Sequence, residues 1–263
     1  MSQALEIHVA GREILSHPRD MSRPFGLFVK RDGFQGWQGI SSRRREALAR
    51  AVAHGEHDVP VYLGSRVVTI DGWALGKDEE DLGNRVNSVV GIGSDGRRVR
   101  PVIKHLGKLR EADGRVLIAE ADDSGGRSGV LRASFQLQFV FADPRKYGGS
   151  FVLPGDRLFP VDRAATATSI VVMHHGNFSS FPVVEIPSAP ASYVISSPGG
   201  TFTVTGATAG GTHRVHLRNG RVYRNGVEMP GVGRGDLWAV PADAGWTHTL
   251  SVAGRVYIDD VDI

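Results

Sequence analysis

His54, His57 and Asp58 sit close enough in the chain to share a transition metal, and the pairs His174-His175 and His213/His216 offer imidazole in the same way. Asp259, Asp260 and Asp262 present the oxygen atoms that calcium prefers. No third and fourth ligand follows the first group at a usable spacing. Cysteine is absent, which removes thiolate ligands, disulfides and a cysteine nucleophile. The histidine pairs therefore read as strand or surface residues and the three aspartates as a frayed acidic end. Asp78, Glu79, Glu80 and Asp81 crowd together too, but at the start of a helical pattern, where carboxylates complement the positive end of the helix dipole without an ion. No metal and no cofactor is expected.

Catalytic patterns are equally thin. The chain has no G-x-S-x-G elbow, no H-E-x-x-H and no phosphate-cradling G-x-x-x-x-G-K-[ST]. Gly91-Ile92-Gly93 follows a helical pattern rather than a strand, the wrong setting for a dinucleotide. Paired carboxylates for sugar hydrolysis would meet only in the fold, so their spacing here is silent. The reading is a non-enzymatic protein.

Arg43-Arg44-Arg45, with Arg50 beyond, could grip phosphate, but such a run is more commonly a solvated face or half of an intersubunit ion-pair set. Of the 31 Lys+Arg and 28 Asp+Glu, 23 and 19 lie in residues 1–150, leaving 8 and 9 in residues 151–263. That basic excess is small and scattered, so no sequence-specific nucleic-acid binding is expected. Arg234-Gly235-Asp236 spells an integrin-type triplet that arises often by chance; Asp236 is expected to cap a turn. Residues 1–15 lack the pattern of a secretory signal, and no run of about eighteen apolar residues occurs, so membrane insertion is not expected.

The elements that must position these residues are mostly strands. From Leu131, apolar residues recur at every second position through Ala133, Phe135, Leu137, Phe139 and Phe141, with Gln136 and Gln138 between them. A period of two predicts a long strand with an aromatic underside, ended by Ala142-Asp143-Pro144. Ala4–Val9, Phe25–Lys30, Arg66–Ile70, Arg97–Ile103 (an edge strand, because of Pro101) and Val116–Ala119 read as further strands. Phe34, Trp37 and Ile40 read as a loop anchored by aromatics, and His105–Asp113 as a polar loop. Leu82, Val86, Val89 and Val90 mark one face of a single helix over Lys77–Gly91. Beyond residue 170, short apolar runs separated by turn residues predict a β-sandwich or jelly roll. Asn219-Gly220 predicts a two-residue hairpin turn that pairs Leu217 with Val222 and puts His216 and Tyr223 on the opposite face. The boundaries drawn are an α+β domain over 1–150 with one helix on a sheet, a linker over 151–170 and a β-sandwich over 171–263, a mainly β chain.

Four stretches carry a resemblance. The end of the long strand, Phe141-x-Asp143-Pro144-Arg145-x-Tyr147, resembles the end of the N-terminal domain in distal tail proteins of long-tailed, non-contractile bacteriophages. Arg66-Val67-Val68-Thr69-Ile70-Asp71-Gly72, Arg218–Gly226 and His174–Ile186 are similar to further stretches of that family. The resemblance implies a virion structural protein at the tail tip. Its N-terminal domain would form a hexameric ring, and a galectin-like sandwich would project outward. The ring would join the tail tube on one side to a tail-associated hub or fibre protein on the other. It favours an extended arm over a helix at Arg43–Arg50, and the candidate subunit contacts are Arg43, Arg44, Arg45, Arg50, Phe34 and Trp37. The alternative is a carbohydrate-binding module meeting host surface glycans, with Trp238, Trp246, Tyr223 or His216 stacking on sugar if they are exposed.

Overall fold

The computed structural model describes residues 5–16, 24–122, 129–148, 152–153, 157–158 and 166–263. The chain divides into two compact units, Met1–Lys146 with Ile263, and Tyr147–Asp262.

In the first unit the strands run across one sheet in the order Lys108–Glu111, Val102–His105, Glu6–Val9, Arg12–Ser16, Gly26–Gln35, Arg66–Leu75, Arg132–Phe141 and Arg115–Asp122. Arg12–Ser16 and Gly26–Gln35 run parallel; the other neighbours are antiparallel. The alternation from residue 131 is what the sheet uses. Ala133, Phe135, Leu137, Phe139 and Phe141 are all buried, and each lies opposite a buried residue of Arg66–Leu75. The opposite face is polar, with Gln136 Nε2 donating to Asp71 at 2.8 Å and Gln138 Nε2 to Thr69 at 3.3 Å. Gly72 faces Phe135, and a Cβ there would stand 2.1 Å from the Phe135 ring and 2.6 Å from the Phe28 carbonyl oxygen. A missing side chain on one strand thus makes room for a large one on the next.

The helix spans Glu79–Val90 and packs on three of these strands through Leu82, Val86 and Val89; Val90 is exposed rather than part of that face. Its start is a reciprocal cap. The Asp78 carboxylate accepts from the Asp81 N–H at 2.8 Å, and the Asp81 carboxylate accepts from the Lys77 N–H at 2.9 Å. Four local expectations change. The strand expected to end at Lys30 runs on to Gln35, taking in Phe34, through a bulge at Arg31-Asp32-Gly33, with Asp32 at φ +62 and the register shifting between Val29 and Phe34. Pro101 precedes its strand instead of interrupting it, and Val102–His105 lies inside the sheet. The polar stretch after His105 contains a strand, Lys108–Glu111, that pairs back on it. The fourth lies in the second unit, at Asn219-Gly220.

In the second unit the sheet order is Val227–Glu228, Arg221–Arg224, His213–His216, Val183–Ile186, Ala244–Tyr257, Tyr193–Ser197, Gly200–Val204 and Gly233–Gly235, with Ala167–His174 also on the long strand. Ala244–Tyr257 serves two groups of strands: Arg255–Tyr257 pair with Val183–Glu185, while its earlier residues pair with Ala167–His174 and Tyr193–Ser197. Side chains from both groups, among them Val184, Val215, Ile195, Phe202, Trp238 and Leu250, meet in one core. The expected two-residue turn is instead a four-residue loop, Leu217 to Gly220, closed by His216 opposite Arg221. Asn219 does not take the positive φ that the shorter turn demands, and Leu217 is buried. The shift is by two residues, so His216 and Tyr223 keep the face predicted for them.

Candidate functional site

The corner after the long strand is built around Arg66. It opens its strand opposite Phe141 and is buried. Its Nη1 donates to the carbonyls of Gly36 (2.8 Å) and Trp37 (3.0 Å), its Nη2 to Gly39 (3.1 Å) and its Nε to Pro144 (2.9 Å). Burial pushes its pKa down, and the four carbonyls supply the dipoles that a desolvated guanidinium needs. Lys146 Nζ reaches the same Trp37 carbonyl at 3.1 Å. Asp143 and Arg145 form a bidentate pair at 2.7 and 2.6 Å across the turn made by Pro144. Gly36, at φ +80, passes so close to Val67 that a Cβ would stand 2.0 Å from its carbonyl oxygen. Two of the four family-like stretches, Arg66–Gly72 and Asp143–Tyr147, are therefore one structural unit. Tyr147 itself falls in the strand Lys146–Gly148.

This corner corrects part of the expected subunit surface. Trp37 is buried, its ring edge-on to Phe141 with centroids 6.3 Å apart, and Phe34 is half-buried against the same core. The Trp37 ring is already spent inside the protomer, while Phe34 keeps part of its ring uncovered. Next to them, Gln38 Nε2 lies 2.9 Å from His105 Nδ1, and burial, then the Lys146 charge, lowers the His105 pKa.

The arginine run lies elsewhere, on an extended hairpin and not a helix. Arg43 and Arg44 pair with Leu63 and Tyr62, and a bridge joins Ala49 to Glu56. Arg50 N–H donates to the Gly55 carbonyl and His57 N–H to that of Leu48. Arg45 lies 3.2 Å from Glu56 and 3.8 Å from Asp58, and Arg44 3.4 Å from Glu46. These pairs are exposed, so each contributes little. The hairpin adds nothing to either core, yet it carries Leu48 at 74% and Val52 at 99% exposure, with Val61 and Tyr62 also uncovered. A two-stranded hairpin without a packed face is marginal in water.

Of the proposed glycan-stacking residues, Trp238 is buried, donating to His248 Nε2 at 3.2 Å, and Trp246 is half-buried against the second core. Trp238 therefore offers no stacking face, and Trp246 packs part of its indole on the core side of its strand. Tyr223 and His216 do share an outer face, with ring centroids 5.1 Å apart, edge to face.

Among the described residues no group of three His, Asp or Glu side chains is placed to hold a metal. His213 is buried and His216 is not, since residues three apart on a strand point to opposite faces. The terminal aspartates are not frayed: Asp260 accepts from the His175 N–H at 2.7 Å and Asp262 from the Asn177 N–H at 2.9 Å. Asp236 accepts from the Thr201 N–H at 3.1 Å, a bond to the neighbouring strand Gly200–Val204 rather than the turn cap expected of it.

No protein-family model matches this chain, and no curated protein matches it. Solved structures do. The SPP1 Dit protein, described as a paradigm of the hub adsorption apparatus in phages infecting Gram-positive bacteria, is similar at TM-score 0.67 and 15% identity, covering 98% of this chain and 99% of its own. The phage P2 baseplate in its activated conformation with Ca is similar at TM-score 0.50 and 7% identity, over 100% of this chain and 99% of that one. Along nearly its whole length, the chain has the mainly β fold of the Dit hub protein, the fold that its short motifs resemble.

Proposed function

We propose that this chain is a structural, non-catalytic protein of a long-tailed bacteriophage virion. It assembles with copies of itself into a ring of six at the distal end of the tail. The ring joins the tail tube on one face to a tail-tip or fibre protein on the other. The observation that carries this reading is the likeness to SPP1 Dit over 98% of the chain. The uncovered hairpin supports it, because closed rings need complementary surfaces and this one presents exposed apolar side chains beside solvent-facing ion pairs. In this reading Arg43, Arg44, Arg45 and Arg50 contact the neighbouring subunit, while Phe34 and Trp37 hold the base from which the hairpin leaves the sheet.

The test is the solution mass of the purified chain by sedimentation, with negative-stain images of the same fraction and of the chain mixed with its cognate tail tube. Rings of about six copies, alone or on tube ends, are expected. A chain that stays monomeric under both conditions and fails to bind the tube would overturn the assignment.

A further inference from the structure

The outer face of the second unit holds an arrangement that the fold alone does not require. In register across four strands lie Tyr223, Arg214, Glu185 and Arg255. The Glu185 carboxylate accepts from Arg214 Nε at 2.9 Å, from the Tyr257 hydroxyl at 3.2 Å and from Arg255 Nη1 at 3.4 Å. It is only 9% exposed, whereas the Arg214 and Arg255 side chains remain 61% and 39% exposed. One arginine would neutralise the carboxylate; the second leaves a net positive charge. Held through Nε, Arg214 keeps both terminal nitrogens without an acceptor among the described residues. The nearby Arg221 is matched by Glu228 at 3.3 Å. In the next row His216 meets the Tyr223 ring edge to face. Burial and the Arg214 charge lower the His216 pKa, so that ring is an uncharged contact surface near neutral pH.

The guanidinium groups left over on this face are donors, which selects a ligand rich in acceptors and negatively charged. The half-buried ring pair beside them suits the C–H surface of a pyranose. We propose that this face binds an acidic saccharide, its carboxylate or phosphate on Arg214 and Arg255 and a sugar ring against Tyr223 and His216. Glu185 positions the two guanidinium groups. A single-stranded nucleic acid is the weaker fit. The charge here is one local pair rather than a track, residues 151–263 carry 8 Lys+Arg against 9 Asp+Glu, and the edge-to-face rings offer no parallel platform for bases. The inference stands independently of the tail-tip reading.

Calorimetric titration of the full chain at low salt tests it. The probes are tetragalacturonate and a phosphorylated mannotetraose, against neutral mannotetraose, inorganic phosphate and a thymidine oligonucleotide. At least one acidic sugar is expected to bind, with the neutral sugar and free phosphate at least about tenfold weaker. Arg214→Ala and Arg255→Ala should each weaken binding about tenfold, with melting unchanged. Where either fails to fold, Arg214→Lys replaces it: the charge remains, but the planar fork and the affinity are lost. Carboxylate and phosphate sources are separated by which of the two acidic sugars binds. Failure of both acidic sugars, equal binding of the neutral one, phosphate binding as tightly as the sugar, or tighter binding of the oligonucleotide would each overturn the proposal.

Discussion

Arg66 Nε donates a 2.9 Å hydrogen bond to the carbonyl oxygen of Pro144, 78 positions further along the chain. With the bonds to Gly36, Trp37 and Gly39, it ties the start of one strand, the loop beside it and the turn after the long strand into one corner. Arg66→Ala removes every one of those donors at once and strands buried carbonyls. The expected loss is about 3 kcal/mol or more, read as a shift in urea midpoint. Arg66→Lys should recover only part, because a single ammonium cannot span the fork. Wild-type stability for Arg66→Ala would show that water satisfies the corner equally well.

Two glycines separate packing from propensity. Gly72→Ala drives a methyl group into the Phe135 ring and the Phe28 backbone and should cost about 1–3 kcal/mol. Gly83→Ala, inside the helix with nothing within 4 Å, should stabilise by roughly 0.5–1 kcal/mol. Thermal melts of the two variants should move in opposite directions.

The second unit should weaken in mild acid through His248. The ring is fully buried, its Nε2 accepts from the Trp238 indole, and its Nδ1 has no hydrogen-bond partner among the described residues. Burial pushes its pKa below the ordinary histidine range, against a smaller opposing pull from the Trp246 backbone. As pH falls below the unfolded value of about 6.5, the unfolded chain binds the proton first, so stability drops until the folded ring also titrates. Urea midpoints measured from pH 7 to pH 5 should fall. His248→Gln, which keeps an acceptor for Trp238, should flatten that slope; an unchanged slope would assign the acid sensitivity to carboxylates instead.

Leu48→Ser with Val52→Ser tests the hairpin. Both side chains already lie in solvent, so the protomer should melt within about 0.5 kcal/mol of wild type. Self-association, measured by sedimentation, should nevertheless be lost. Retained association would move the subunit contact elsewhere.

Much of this architecture is local and was legible. The two-residue period from 131 to 141 specifies a strand and its buried face without reference to anything else. The same holds for the acidic start and apolar stripe of the helix. The illegible features are long-range. Nothing near Glu6–Val9 announces its pairing with Val102–His105. Trp37 and Trp238 sit in glycine- and polar-rich surroundings that look like surface, and only the folded chain closes over them. Arg66 reads as a cation at the edge of a β-branched strand; its role depends on four carbonyls brought from two distant loops. Glu185, Arg214 and Arg255 belong to three strands, so no spacing in the chain links them.

The Arg43–Leu63 hairpin shares no side chain with either core. Folding therefore places little demand on its sequence, whereas geometry locks Phe135 to Gly72, and Arg66 to the carbonyls of Gly36, Trp37, Gly39 and Pro144. The packing that fixes the fold and the exposed hairpin occupy separate stretches of the chain. Substitutions in the hairpin can therefore accumulate without disturbing either core, in a fold that is shared with a structure only 15% identical in sequence.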